Sequence, residues 1–367
     1  MKMTIMLAII IFIASCSSPE SMHLTVVELE GTPYNRGLIH GRTLKKEIKS
    51  ILEKWTTKTE DMLKMDLEDI KDRFLNNTKY MDAILKWNPD LVHEIRGIAA
   101  GAEIDFDTMY LFQIGEELES HSGLINPYKC TTLGVNPTDR SPCYVAQNMD
   151  PPYFLHGFPT LLHIKYEDSD LESYIFTSPG LIGLNGINSK GIGLTANGLP
   201  DLYTNNEGLP VAFVIRSVLE KETFKEAINF VLNIKHAKAQ NYLIGGQKEV
   251  VCLECFDDVK VKFVPFENAT MTYHTNNYLK IEHHSNLKYC SRLATMREEI
   301  KNRNYDIGLD DIKEILRSTK WNAGRPISHD FTYGSTIMEL SEHPVLYITP
   351  DQPDKTIYLK YDFNRFN

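Results

Sequence analysis

The 367-residue chain is poor in positive charge: 39 Lys and Arg stand against 49 Asp and Glu, a formal net charge of -10. No basic run is long enough to track a phosphate backbone, which excludes nucleic acid as an expected partner. Metal-ligand spacing is also missing. His40 and His274 belong to no H-x-x-x-H with an acidic partner, and His283-His284 reads as a solvated turn. Cysteine is scarce at 6 residues. Cys252 and Cys255 form a C-x-x-C with no second ligand pair, inside a run that reads as a buried strand, so packed thiols are expected there rather than zinc or redox chemistry. Cys143 and Cys290 are read in the same way, with no pairing assigned. No internal repeat and no low-complexity tract was found. The amino-terminal apolar stretch, Met3 to Ile13, is too short to span a bilayer.

What is present is a chain that is 42% hydrophobic and 24% charged, enough for a large core in one or two domains. Lys2 and the apolar stretch behind it read as a secretory signal over residues 1–15. Ile13-Ala14-Ser15-Cys16 resembles a bacterial lipobox, in which Cys16 would carry lipid at the start of a polar tether, residues 16–24; the other reading is an ordinary signal peptide with a chance cysteine. The lipobox reading makes the protein exported and lipid-anchored to a bacterial membrane, on its periplasmic or cell-surface side.

Residues 25–129 read as a short strand from about Thr25 to Glu30 and then mainly helices. One runs from the Gly31-Thr32-Pro33 turn through Leu44, Ile48, Leu52 and Trp55, and further ones carry Leu85, Leu91, Ile95, Ile98, Leu111 and Phe112. After Cys130 the texture changes to short strands broken by turns, over Leu161 to Tyr166, Ser173 to Thr177, Leu181 to Ile187 and Gly191 to Asn197. Two helices follow, Val211 to Glu220 and Thr223 to Ile234, and then a strand group from Tyr242 to Tyr273. Helices over Ser291 to Asn302 and Leu309 to Thr319 precede three closing strands, around Ser335 to Leu340, Val345 to Ile348 and Thr356 to Tyr361. Strands, helices and strands again predict an α+β fold rather than a parallel βαβ sheet.

The chemistry concentrates around Tyr128-Lys129-Cys130-Thr131-Thr132 and Gln147-Asn148-Met149-Asp150. A thiol with a free pKa of about 8.5 needs a base, and no histidine lies nearby in sequence. Cutting the Lys129-Cys130 bond would give Cys130 an α-amine of pKa about 7.7 to 8.0, so that nucleophile and base belong to one residue.

These stretches resemble the acyl-coenzyme A:6-aminopenicillanic-acid acyltransferase family of N-terminal-nucleophile cysteine hydrolases, related to penicillin V acylase, bile-salt hydrolase and acid ceramidase. The resemblance also rests on Gly31-Thr32-Pro33-Tyr34-Asn35-Arg36-Gly37 with His40-Gly41, on Gly183 to Asn188 running to Leu194-Thr195-Ala196-Asn197, and on His274-Thr275-Asn276-Asn277. It implies an αββα four-layer sandwich over residues 130–367, preceded by the mainly helical pro-segment 25–129, which is retained as the smaller chain after self-cleavage and stays associated with the larger.

The resemblance makes Cys130 the nucleophile, first against the Lys129 carbonyl and then against a substrate amide. Lys129 departs from the small residue usual before the cysteine. Asp150 resembles the aspartate that holds the new α-amine, and Asn197 and Asn276 the active-site asparagines; their plainer reading is as turn residues. Arg292 is the candidate for the arginine beside the nucleophile, with Arg325 as competitor and a surface salt bridge as the ordinary alternative for either. Gln147 stands where bile-salt hydrolases have an arginine, which speaks against that branch. No cofactor and no metal are implied.

The expected activity is cleavage of linear amide bonds in small N-acylated compounds through a Cys130 thioester. Water or another amine can resolve such a thioester, so acyl transfer shares the machinery. Export disfavours coenzyme A as donor, and hydrolysis is the favoured outcome. A different class of protein, a lipoprotein that binds acylated ligands on the same fold without catalysis, is supported by Lys129. A papain-like protease needs its cysteine at a helix start, whereas Cys130 begins a strand.

Overall fold

The computed structural model describes residues 23–122, 130–167, 169–200, 204–265, 270–280, 290–321 and 324–363. The proposed signal, Cys16, Lys129 and His283-His284 lie outside them.

The alternating run at the start is strand β1 (Thr25–Leu29). Thr32 then caps α1 (Pro33–Thr43), accepting from the Asn35 N–H while Pro33 supplies a preset φ at the first helical position. The single long helix expected from the apolar spacing is broken at Leu44, whose backbone leaves the helical region, and resumes as α2 (Lys45–Leu63). Next come α3 (Leu67–Asn77), α4 (Tyr80–Trp87), α5 (Asp90–Ala102), α6 (Phe106–Gln113) and α7 (Gly115–Ser120). Asp66 and Asp105 cap α3 and α6 through their carboxylates.

Helices α1 and α5 cross at unusually close range. Gly37 and Gly41 on one helix face Gly97 and Gly101 on the other, and a Cβ at Gly37 or Gly97 would overlap the opposing backbone carbonyls of Glu94 or Tyr34. The family-like Arg36-Gly37 and His40-Gly41 residues are therefore packing residues. Arg36 donates to the Gly31 carbonyl and pairs with Glu94, and His40 Nε2 accepts the Gly180 N–H at 3.0 Å. Burial pushes the His40 imidazole down to about 4, so it is neutral, as an acceptor must be.

The larger sheet has the order β1-β4-β5-β6-β7-β8-β9-β10. It comprises β4 (Thr160–Lys165), β5 (Glu172–Thr177), β6 (Asn185–Asn188), β7 (Gly193–Gly198), β8 (His236–Gly245), β9 (Val250–Asp257) and β10 (Val259–Phe263). Among the described strands of this sheet, β1 and β4 alone pair in parallel. The second sheet, ordered β11-β2-β3-β12-β13-β14, is antiparallel throughout. Its strands are β2 (Thr131–Val135), β3 (Cys143–Met149), β11 (Met271–His274), β12 (Gly334–Leu340), β13 (Val345–Thr349) and β14 (Leu359–Asp362).

Three apolar layers hold these sheets in a sandwich. Between them pack Val145, Leu161, Phe176, Leu243, Met338 and Ile348. Helices α1 to α7, with α8 (Val211–Leu219) and α9 (Phe224–Asn233), cover the outer face of the larger sheet through residues such as Ile48, Ile98, Ile175, Val214 and Ile244. The outer face of the smaller sheet meets α10 (Ser291–Asn302) and α11 (Leu309–Leu316) through Leu133, Met296, Ile312 and Ile337. The order of layers is thus helix, sheet, sheet, helix, as the resemblance implied.

One strand begins earlier than its pattern predicts. Strand β8 starts at His236 rather than Tyr242, because His236, Lys238, Gln240 and Asn241 are buried polar residues that break the apolar signal.

Candidate active site

Strand β2 starts at the residue after Cys130, and its register on β3 sets Thr131 opposite Asn148 and Thr132 opposite Gln147. Continued backwards, this pairing brings Cys130 beside the end of β3, where Asp150 follows Met149. Cys130 is partly exposed. Burial pushes its thiol up to about 12, reinforced by the Asp150 charge; the Asp150 backbone N–H and the Arg292 guanidinium act in the opposite sense. In the continuous chain the sulfur is protonated and requires a base before it can attack.

Arg292, in the first turn of α10, is almost fully buried. Its Nη1 donates to the Cys130 carbonyl oxygen at 2.5 Å and to Thr131 Oγ1 at 2.8 Å, and its Nη2 donates to Asn276 Oδ1 at 3.0 Å. Arg325 instead lies over the Phe331 ring, 4.9 Å from its centroid. Of the two candidate arginines, the one against Cys130 is Arg292.

The two asparagines differ in what they leave available. Asn197, next to last in β7, accepts through Oδ1 from Thr132 Oγ1 and from Asn241 Nδ2, each at 3.0 Å. Its Nδ2 is buried and has no partner among the described residues. An amide so held offers both N–H groups to an incoming oxygen. Asn276 is committed at both ends, with Nδ2 donating to the Gly198 carbonyl at 2.9 Å and Oδ1 accepting from Arg292. It braces Arg292 against β7.

Asp150 is buried, and neither carboxylate oxygen has an aligned hydrogen bond among the described residues. His329 Nε2 faces Oδ2 at 3.1 Å. Such a carboxylate is able to receive a cationic amine at the start of β2.

Other sequence candidates have structural partners. Gln147 ties the sheets together, donating to the Ala196 carbonyl at 2.6 Å and accepting from Asn185 Nδ2 at 2.8 Å. Asn148 points the opposite way and bonds the carbonyls of Leu316 and Ile327. His274 pairs with buried Glu254 at 2.9 Å. Cys143, Cys252 and Cys255 are buried free thiols, and burial pushes Cys143 and Cys252 up to about 12. Among the described residues no group of three His, Cys, Asp or Glu side chains is arranged to hold a metal ion.

Sequence reasoning passed over Thr132, Asn241 and His329. Thr132 lies inside the Tyr128-to-Thr132 stretch, where its hydroxyl carried no assigned role. Asn241 and His329 have no local signal, since one is a polar residue in a buried strand and the other a loop histidine that only the fold brings to Asp150.

The family model described as acyl-coenzyme A:6-aminopenicillanic acid acyl-transferase matches residues 135–324. That span contains Asp150, Asn197, Asn276 and Arg292 and begins after Cys130. Protein dcd1A of Dictyostelium discoideum is 26% identical over 244 residues, 59% of this chain and 54% of that protein. The chain therefore spans about half the length of that relative. The acyl-coenzyme A:6-aminopenicillanic-acid-acyltransferase 40 kDa form of Emericella nidulans is 25% identical over 256 residues, 69% of each chain. Among solved structures, a Caenorhabditis elegans N-acylethanolamine-hydrolyzing acid amidase ortholog is 16% identical with a TM-score of 0.46, covering 64% of this chain and 100% of that one. Penicillin V acylase from Agrobacterium tumefaciens is 11% identical with a TM-score of 0.40, covering 64% and 86%.

Proposed function

Since the chain belongs to the acyl-coenzyme A:6-aminopenicillanic acid acyl-transferase family, whose model matches residues 135–324, we propose that it is a self-processing cysteine amidohydrolase with Cys130 as nucleophile. The observation that carries this reading is the gathering around the start of β2 of a carboxylate with no aligned hydrogen bond, Asp150, beside Cys130, a buried guanidinium, Arg292, on the Cys130 carbonyl, and an amide with a free N–H pair, Asn197, on Thr132.

In the processing step the Cys130 thiol attacks the Lys129 carbonyl carbon. The C–N bond breaks as the C–S bond forms, the thiol proton passes to the released nitrogen, and water hydrolyses the resulting thioester to a Lys129 carboxylate and the free Cys130 thiol. Cys130 then owns a free α-amine held by Asp150. In turnover that amine takes the thiol proton and Cys130 Sγ attacks the substrate amide carbon. The developing oxyanion is met by Asn197 Nδ2–H, a contribution of about 2.7 to 4 kcal/mol for one such donor. The ammonium returns its proton to the leaving amine, and water then releases the acid from the thioester.

The substrates would be small N-acylated compounds, such as N-acyl amino acids or acylated lactams, with acyl transfer to a second amine open to the same thioester. Arg292, through the Cys130 carbonyl and Thr131, fixes the start of β2 and lowers the cost of thiolate. We also propose, from the lipobox-like Ile13-Ala14-Ser15-Cys16, that the protein is exported and lipid-anchored through Cys16.

Replacing Cys130 by Ala tests the reading directly. The variant is expected to remain one polypeptide on a denaturing gel and to release no amine from a panel of N-acyl amides, while Cys143→Ala retains both maturation and activity. A Cys130→Ala chain that matures normally excludes self-cleavage. A wild-type chain that stays intact and inert but binds N-acyl compounds supports the non-catalytic lipoprotein instead.

A further inference from the structure

His329 Nε2 approaches Asp150 Oδ2 to 3.1 Å. His329 sits in the loop before β12, and three contacts fix its course. Ser328 donates its N–H to the Ser318 carbonyl at 2.9 Å, the Thr332 N–H closes a turn on the His329 carbonyl at 2.8 Å, and the Tyr333 N–H reaches the Met149 carbonyl at 2.7 Å, next to Asp150. The loop is thereby fastened to the strand that carries the carboxylate.

The tautomer follows from the second ring nitrogen. His329 Nδ1 accepts the Phe331 N–H at 3.1 Å, so a neutral imidazole carries its proton on Nε2. That nitrogen faces Asp150 Oδ2 at 3.1 Å, with the two side chains 7% and 1% exposed. The pair meets in distance, though its angle falls short of a full hydrogen bond, and neither Nε2 nor either Asp150 oxygen has another partner among the described residues. A buried carboxylate with no donor is costly, and this N–H lies within reach of it.

We propose that His329 is a positioning residue for the nucleophile: its Nε2–H holds Asp150 through Oδ2 and so presents Oδ1 to the α-amine of processed Cys130. The role rests on the proposed function. Its consequence is kinetic, because an amine out of line with the sulfur leaves less thiolate at neutral pH.

The test is the rate at which iodoacetamide alkylates Cys130 at pH 7, read by mass spectrometry on fully processed protein. His329→Phe keeps a ring in place and removes the donor; it is expected to slow alkylation about 10- to 100-fold, the range for a lost hydrogen bond to a charged group. His329→Gln supplies a side-chain N–H without a ring and is expected to stay within about threefold of wild type. A residue that only packs gives the reverse order, with Phe tolerated and Gln slow, and that order overturns the proposal. Should the Phe variant not fold, the Gln variant decides: a loss of about tenfold or more there excludes donation as the role. In an Asp150→Asn background, replacing His329 should change nothing further. Wild-type protein lacking a free amine on Cys130 overturns the function itself, whereas processed protein with an unaffected Phe variant overturns only the part assigned to His329.

Discussion

At the scale of residues, the chemistry turns on which polar atoms are already engaged. Asn197 and Asn276 look equivalent in sequence, yet only Asn197 keeps an uncommitted N–H pair, while Asn276 is used to steady Arg292. Asn197→Leu is therefore expected to lower kcat by about 10²- to 10³-fold with KM nearly unchanged, because the donor is needed where charge develops. Thr132→Val, measured the same way, should cost roughly tenfold by releasing the amide that Thr132 orients. Asn276→Leu should instead act through Arg292, and Arg292→Lys should not replace Arg292, since one ammonium cannot reach the Cys130 carbonyl, Thr131 and Asn276 together. Cys130, Asp150 and the two asparagines were legible as candidates because each sits in a short motif. The choice between Arg292 and Arg325 was not, since both follow turn-like stretches and only the fold shows which guanidinium reaches β2.

At the scale of elements, buried charge explains both what was readable and what was not. Strand β8 hides in the sequence because its first half faces the acidic helix α7, with Lys238 donating to the Glu116 carbonyl and Gln240 to the Glu116 carboxylate. In the same helix Glu117 accepts the Val211 N–H at 2.9 Å and caps α8. Burial, aided by the neighbouring Glu116 charge, pushes Glu117 up to about 7. A carboxyl whose folded pKa is raised contributes stability below its unfolded value and loses it as pH climbs through the folded one. Glu117→Gln keeps the accepting oxygen and cannot ionise. It should stabilise the protein by roughly 3 kcal/mol at pH 8 and by almost nothing at pH 4, read from urea midpoints at the two pH values. The crossing of α1 and α5 makes a separate prediction. Gly97→Ala drives a methyl into the Tyr34 carbonyl, and thermal unfolding should show a loss of at least about 1 to 3 kcal/mol.

At the scale of the whole molecule, the segment before Cys130 is part of the main core rather than a detachable leader. Residues of α2, α5 and α6 share one apolar layer with β5, β8 and α8. Glu94 on α5 meets Arg216 on α8 in a buried pair with contacts of 2.6 and 2.9 Å. Cleavage ahead of Cys130 should leave two fragments that travel together in native size exclusion and separate only in denaturant. Glu94→Gln should weaken that association by up to about 3 to 5 kcal/mol, because it removes the carboxylate that Arg216 shares with Arg36 and leaves Arg216 the longer contact to the Glu220 carboxylate at 3.6 Å. The α+β class was readable from the alternation of strands and helices, and the layers from the family resemblance; the tight joining of the two parts was not, since it depends on glycine contacts and ion pairs between residues far apart in the chain.

The most direct test is amino-terminal sequencing, with intact mass, of the purified active protein. The account predicts a larger fragment that begins at Cys130 and runs to the end of the chain. Amide hydrolysis by a polypeptide that is unbroken at this position, or by one whose larger fragment begins at any other residue, would contradict it.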